Sequence, residues 1–248
     1  MIRAVTFDFW NTLVAEDHDG TPEEVGTMRE AQISGWERVL SEAGSPVERA
    51  TISAAFDESW EVFHERWHAN EPYGPVEATE LMCDALGVDP APSVRAALEA
   101  VFDEVGRVAP LRLAPGAEGC LRALGADGVR LGIVCDVGMT PSNVLRERLD
   151  RFGVLRYFDH WSFSDETGCF KPFAPAFRHA LQGLGVDDPA AAAHVGDARR
   201  TDMAGALALG MTAVRYRHFH EAPAETGPEG DMVVDDLSEL PAALGLGT

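Results

Sequence analysis

A chain of 248 residues can hold one large domain or a core with a smaller appendage, and 46% hydrophobic with 25% charged residues excludes a disordered chain. The formal charge of −21, from 20 basic and 41 acidic side chains, excludes nucleic acid and anionic membrane as natural partners, because such a surface repels both. Four scattered cysteines (Cys83, Cys120, Cys135, Cys169) form no CxxC pair and no metal spacing, so reduced thiols and a cytoplasmic location are expected. No apolar run approaches the ~20 residues needed to span a bilayer, and no charged leader precedes the first apolar segment. Membrane insertion and secretion are therefore not expected.

The chain opens on IRAVTFDFWNTLV, residues 2 to 14. Its apolar run is too short and too rich in β-branched and aromatic residues for a helix, and reads as a strand buried on both faces of a parallel sheet. An aspartate is costly to bury, so Asp8 should emerge at the carboxyl end of that strand, where open α/β sheets bind ligands. The alternative is that Asp8 caps the following turn.

After Val14 the pattern changes to helical period and keeps it to about residue 108. Thr21-Pro22-Glu23-Glu24 predicts a helix start, with Thr21 as N-cap, and Gly44 its end. Ile52, Phe56, Trp60, Phe63 and Trp67 mark one apolar face of a second helix, read as core, with His64, Arg66 and His68 off that stripe on a solvated face. Two further helices fit near 75–87 and 91–107. This helical stretch interrupts a strand–helix alternation and is read as an inserted cap over 16–109.

Alternation resumes at Leu111. A helix opens at Pro115-Gly116, a buried strand covers 129–137, and a helix runs from about Pro141 to Phe152. A strand near 157–163, a helix over 173–184, a strand ending at Asp197, a helix near 200–209 and strands near 212–216 and 232–236 complete the series. The run at 221–230 reads as a surface loop. The fold class expected is α/β, a Rossmann-like doubly wound parallel sheet made of 1–15 and 110–248, with an all-helical insertion.

Asp8, Cys135-Asp136 and Asp197, with Asp202 just behind, would then meet at one sheet edge. Converging carboxylates repel one another, and a bound hard cation with oxygen ligands is the usual remedy. Magnesium is the natural candidate. A lysine, Lys171, could keep a nucleophilic carboxylate ionised and pair with an anionic substrate group.

FDFWNTL (7–13), LGIVCD (131–136), the lysine of FKP (170–172) and HVGDARRTD (194–202), in this order around a helical insertion, resemble the haloacid dehalogenase-like hydrolases. The resemblance covers essentially the whole chain. It implies Asp8 as a nucleophile forming an aspartyl intermediate, and magnesium held by Asp8, Asp197, Asp202 and the backbone carbonyl of Trp10. It further implies Lys171 as the cation steadying nucleophile and substrate, and Thr12 as a hydroxyl supporting the first loop. A small, phosphorylated and hence anionic metabolite is the substrate class implied, and oligomeric state is left open.

Two positions depart from the family's phosphatases. The second aspartate, which protonates the leaving group, is here Trp10, whose indole cannot do acid–base work. Where Ser or Thr followed by Asn is common, this chain has Cys135-Asp136. Asp136 is read either as a helix cap or as a relocated acid, with Thr140 or Ser142 replacing the missing hydroxyl. The competing readings are a 2-haloacid dehalogenase, whose halide leaves without a proton, and a catalytically idle member that binds a ligand or partner.

Overall fold

The structure, a computed structural model, describes residues 1–17, 27–219 and 226–246. In chain order its strands are β1 (Ala4–Phe7), β2 (Val14–Glu16), β3 (Leu111–Leu113), β4 (Arg130–Cys135), β5 (His160–Phe163), β6 (Ala192–Gly196), β7 (Thr212–Tyr216) and β8 (Met232–Val234). The helices are α1 (Met28–Glu42), α2 (Arg49–Ala69), α3 (Pro75–Leu86), α4 (Pro92–Val108), α5 (Ala117–Ala126), α6 (Ser142–Arg151), α7 (Ser164–Thr167), α8 (Ala174–Gly183), α9 (Ala204–Leu209) and α10 (Leu240–Ala243). No helix among the described residues is long and apolar enough to cross a membrane.

The chain divides into two units. The first comprises Met1–Ala15, Arg112–Asp136 and Leu149–Thr248. Its six-stranded sheet runs β5-β4-β1-β6-β7-β8 with all five pairings parallel. All four residues of β1 are buried, as a central strand requires. Phe7 lies opposite Ile133 on one side and Val195 on the other, so the carboxyl ends of β1, β4 and β6 come level. Asp8, Asp136 and Asp197 each follow one of those ends. The chain builds outward from β1 to β4 and β5, then returns to the opposite side of β1, which makes this edge a topological switch point.

Helices α8 and α9, with the turn before α9, pack on this sheet through Phe177, Ala180, Leu181, Met203 and Ala206, all buried. Gly205 permits the approach. A Cβ there would lie 2.4 Å from the Phe177 ring and 3.0 Å from the Pro172 Cα.

The second unit comprises Glu16–Leu111 and Val137–Arg148. Helix α1 packs against α2 and α4, and α3 against α2 and α4. Its core holds Ile33, Trp36, Leu40, Ile52, Phe56, Met82, Leu98 and Phe102, with Trp36 and Phe102 edge to face at 6.3 Å. The segment containing Thr140 and Ser142 belongs here. Arg148 explains part of that, donating to the carbonyls of Arg107 (2.7 Å) and Ala109 (2.9 Å) and so satisfying the end of α4.

Several expectations need correction. The start expected at Thr21 lies outside the described residues, and the helix described begins at Met28, its cap being Thr27, which accepts from the Glu30 N–H at 3.2 Å. The helical period expected directly after Val14 does not start there: Val14–Glu16 form β2, a short strand paired with β3. Trp60, expected in the core, is 43% exposed. Buried residues on α2 are Ile52, Ala55, Phe56, Ser59 and Phe63, and repeated steps of four drift off that stripe. The helix expected near 200 begins instead as a wide π-type turn over Arg199–Met203.

Candidate active site

The first loop turns sharply because the Phe9 carbonyl accepts the N–H groups of both Leu13 (3.0 Å) and Val14 (2.9 Å), while Asn11 takes a left-handed φ of 58°. Asparagine tolerates that region better than most residues. Asp8 is anchored at the start of this loop by its N–H, which donates to the Val195 carbonyl at 2.8 Å. The Trp10 ring packs edge-on against Phe9, with centroids 5.0 Å apart. Thr12 is fully buried, and its hydroxyl has no hydrogen-bond partner among the described residues.

Lys171 reaches into the cluster from the loop after Phe170, where the Lys171–Pro172 peptide bond is cis. Its ammonium donates to Asp8 Oδ1 at 2.6 Å and to Asp202 Oδ1 at 2.7 Å, and all three side chains are buried. Asp8, Asp197 and Asp202 each offer a carboxylate oxygen within 4.8 Å of the others, an arrangement able to hold a metal ion. The four residues, far apart in the chain, thus lie together. Asp202 gets there because Gly196 has no side chain: a Cβ on Gly196 would fall 2.2 Å from the Asp202 carboxyl carbon.

The electrostatics divide the carboxylates. Burial pushes the Asp8 carboxyl up to about 7; Lys171 pulls against that and Asp202 adds to it. Asp197 is also raised, by burial and then by the charges of Asp8 and Asp202. Asp202 is buried as well, but Lys171 and the hydrogen bond from His194 outweigh burial and bring it down to about 2. Burial would neutralise Lys171, yet Asp202 and Asp8 together hold its ammonium more firmly than usual. Two carboxylates that resist ionisation beside one that does not is the signature of a site short of positive charge.

Cys135 is buried, and burial followed by the nearby Asp8 charge raises its thiol well above the ordinary range. It is therefore a protonated thiol rather than a nucleophile. Asp136 Oδ1 accepts the Lys171 backbone N–H at 2.8 Å, tying the end of β4 to the lysine loop. Asp136→Asn keeps an acceptor in that place and is expected to leave rate and pH profile unchanged. Asp136→Ala orphans the N–H and should lower stability by about 1–3 kcal/mol in urea unfolding.

Sequence reasoning gave no site role to His194, Thr6 or Arg215. His194 has no ligand spacing with cysteine or histidine, yet it lies fully buried on β6, its Nε2 2.9 Å from Asp202 Oδ1 and its Nδ1 2.8 Å from Thr6 Oγ1. Arg215, buried on β7, donates to the Asp197 carbonyl at 3.4 Å and pairs with Glu229, which also pairs with Arg199. The available signal was a polar side chain in the middle of a strand otherwise apolar.

A family model described as a haloacid dehalogenase-like hydrolase matches residues 2–210. The chain is 30% identical over 237 residues to the glyceraldehyde 3-phosphate phosphatase of Methanopyrus kandleri, covering 96% of this chain and 92% of that protein. It is 32% identical over 127 residues to the pyrimidine 5'-nucleotidase YjjG of Escherichia coli, about half of each chain (51% and 54%). Among solved structures, a 2-haloacid dehalogenase from Pseudomonas syringae pv. Tomato superposes with a TM-score of 0.69 at 23% identity over 99% of both chains. A HAD phosphatase from Thermococcus onnurineus does so with a TM-score of 0.61 at 23% identity over 98% of both. At that identity the structural likeness speaks for the fold.

Proposed function

This chain belongs to the haloacid dehalogenase-like hydrolases, and on that basis we propose that it is a magnesium-dependent phosphatase of small phosphorylated metabolites, with Asp8 as nucleophile. The observation that carries the reading is the buried contact of Lys171 with Asp8 and Asp202, with Asp197 completing an acidic group at the switch point of the sheet. A site short of positive charge and lined with carboxylate oxygens fits a hard divalent cation. Asp8, Asp197, Asp202 and the Trp10 carbonyl would hold it. Magnesium, when bound, supplies charge that neutralises phosphoryl oxygens and favours the ionised form of the carboxylates.

The chain's own residues do the rest. Asp8 attacks phosphorus, the bond to the leaving oxygen breaks, and an aspartyl phosphate forms that water then hydrolyses. Lys171 keeps Asp8 ionised and pairs with a phosphoryl oxygen, while Asp136 holds the Lys171 backbone in register. Trp10 cannot protonate the leaving group, so substrates whose alkoxide or phenoxide departs unaided are favoured. We assign substrate choice to the helical unit, read as a cap, and the names of the phosphatase relatives support a small phosphorylated substrate.

Trp10 also favours a second reading, a 2-haloacid dehalogenase, in which the departing halide needs no proton. One assay series separates them. Phosphate release from an aryl phosphate is expected to exceed that from an alkyl phosphate and to vanish in EDTA. Trp10→Asp should raise the alkyl phosphate rate, by up to the ~10²- to 10⁴-fold that an acid catalyst contributes. Chloride release from 2-chloropropionate that is indifferent to EDTA would replace the phosphatase reading with the dehalogenase one. A folded protein releasing neither ion would favour an idle ligand-binding member.

A further inference from the structure

We propose that His194, together with Thr6, is a positioning device: the imidazole clamps Asp202, and Asp202 in turn holds the Lys171 ammonium against Asp8. This rests on the reading of Asp8 and Lys171 given above. A fully buried imidazole inside an apolar strand is costly unless both nitrogens are bonded, and here both are. Thr6 and His194 are register partners on adjacent strands β1 and β6, so the hydroxyl meets the ring across the sheet. Phe177 stands edge-on to the ring at 5.0 Å and closes off one side.

Burial favours the neutral ring, and with Asp202 as acceptor Nε2 carries the hydrogen, so Nδ1 accepts from the Thr6 hydroxyl, which also lies 3.4 Å from the Ala193 carbonyl. Asp202 Oδ1 then receives both the imidazole N–H and the Lys171 ammonium, while Oδ2 accepts the Ala198 N–H at 3.1 Å. The carboxylate packs directly on Gly196, where a Cβ would fall 2.2 Å from its carbon, and these three bonds hold it there. Lysine has a flexible stem and three rotatable donors, and does not place itself. The continuous path Thr6, His194, Asp202, Lys171, Asp8 transfers the rigidity of two central strands to the proposed nucleophile.

The test compares His194→Phe, which keeps a ring but loses both bonds, with His194→Gln, whose amide N–H can still reach Asp202. Two readouts are used: kcat and KM on an aryl phosphate with magnesium, and the slowly exchanging ¹⁵N signal of the buried Lys171 ammonium in metal-free protein. The Phe variant is expected to lose about 100-fold in kcat with KM unchanged, the penalty of a misplaced group, and to lose the ammonium signal. The Gln variant should recover most of both. A folded Phe variant with the parent's kcat and ammonium signal, or a Gln variant no better than Phe, overturns the proposal. If the parent turns nothing over, the phosphatase reading fails while the ammonium signal still judges His194. Should His194→Phe not fold, Thr6→Val removes only the hydroxyl that steadies the ring; kcat and the Lys171 ammonium signal should then both fall while the ring keeps its Nε2–H tautomer, and a folded Thr6→Val protein with the parent's kcat and ammonium signal overturns the proposal equally.

Discussion

Asp8→Asn is expected to abolish turnover and, at the same time, to make the metal-free protein more stable above neutral pH. The loss in kcat should be on the order of 10⁴- to 10⁶-fold, the range seen when a nucleophile is removed. The gain in stability follows from burial. In the folded chain burial pushes the Asp8 carboxyl up to about 7, from an ordinary 3.8 in the unfolded chain. Below about pH 4 both states hold the proton and the group is neutral to stability. Between about 4 and 7 the folded state keeps a proton that the unfolded state has released, so rising pH favours unfolding, and above 7 the loss is complete. Asparagine never ionises and escapes that loss. Urea unfolding in EDTA should show the variant matching the parent near pH 4 and exceeding it by a few kcal/mol near pH 8, by the linkage of pKa to stability. Equal curves at both pH values would mean that Asp8 is not the desolvated carboxylate described here.

Lys171→Met is expected to have the opposite effect on stability and a comparable one on activity. Methionine fills the space but leaves buried Asp8 and Asp202 and half-buried Asp197 beside one another with no lysine ammonium between them. Removing one partner of a buried ion pair costs about 3–5 kcal/mol. Turnover should fall by at least 10²-fold, as when one donor to a developing charge is deleted. Asp202 owes its low value of about 2 to Lys171 first among the groups that oppose burial, so without the lysine its carboxyl rises and takes up a proton in mild acid. The deficit should therefore shrink as pH falls from 8 to 5. Millimolar magnesium should restore part of the thermal stability at pH 8 by supplying the missing charge. A variant whose melting temperature matches the parent's at every pH, with and without magnesium, would contradict the buried cluster.

The two variants bracket one physical idea. Asp8 is held ionisable at the expense of stability, and Lys171 limits that expense. Asp202 accepts Lys171, His194 and the Ala198 N–H at once, and its low value marks it as the fixed anion of the group.

Much of the architecture was legible along the chain. AVTF and RLGIVC are dense in β-branched and apolar residues, and both became central strands. The helices expected near 75–87 and 91–107 became α3 and α4. Where reading failed, longer-range forces had won. Val14–Glu16 became a strand because β3 was available to pair with it, although the local pattern pointed to a helix. Trp60 was counted as core on spacing alone, but burial on α2 follows which residues meet the neighbouring helices. The wide turn at Arg199–Met203 places Asp202 next to Gly196, a contact between residues six apart that no helical period contains.

What the sequence by itself determined is the class of fold and the candidates at its strand ends, Asp8, Asp136 and Asp197, with Lys171 and Asp202 added by motif. Strand burial and helix period are local properties, set by side chains a few residues apart, and local properties can be read in order. Only the tertiary structure decided that Asp202 Oδ1 is shared by Lys171 and His194, that Asp136 serves the Lys171 backbone, and that Thr6 closes the chain of hydrogen bonds. Hydrogen bonds act over about 3 Å, and which polar groups come within that reach depends on how distant strands are laid side by side.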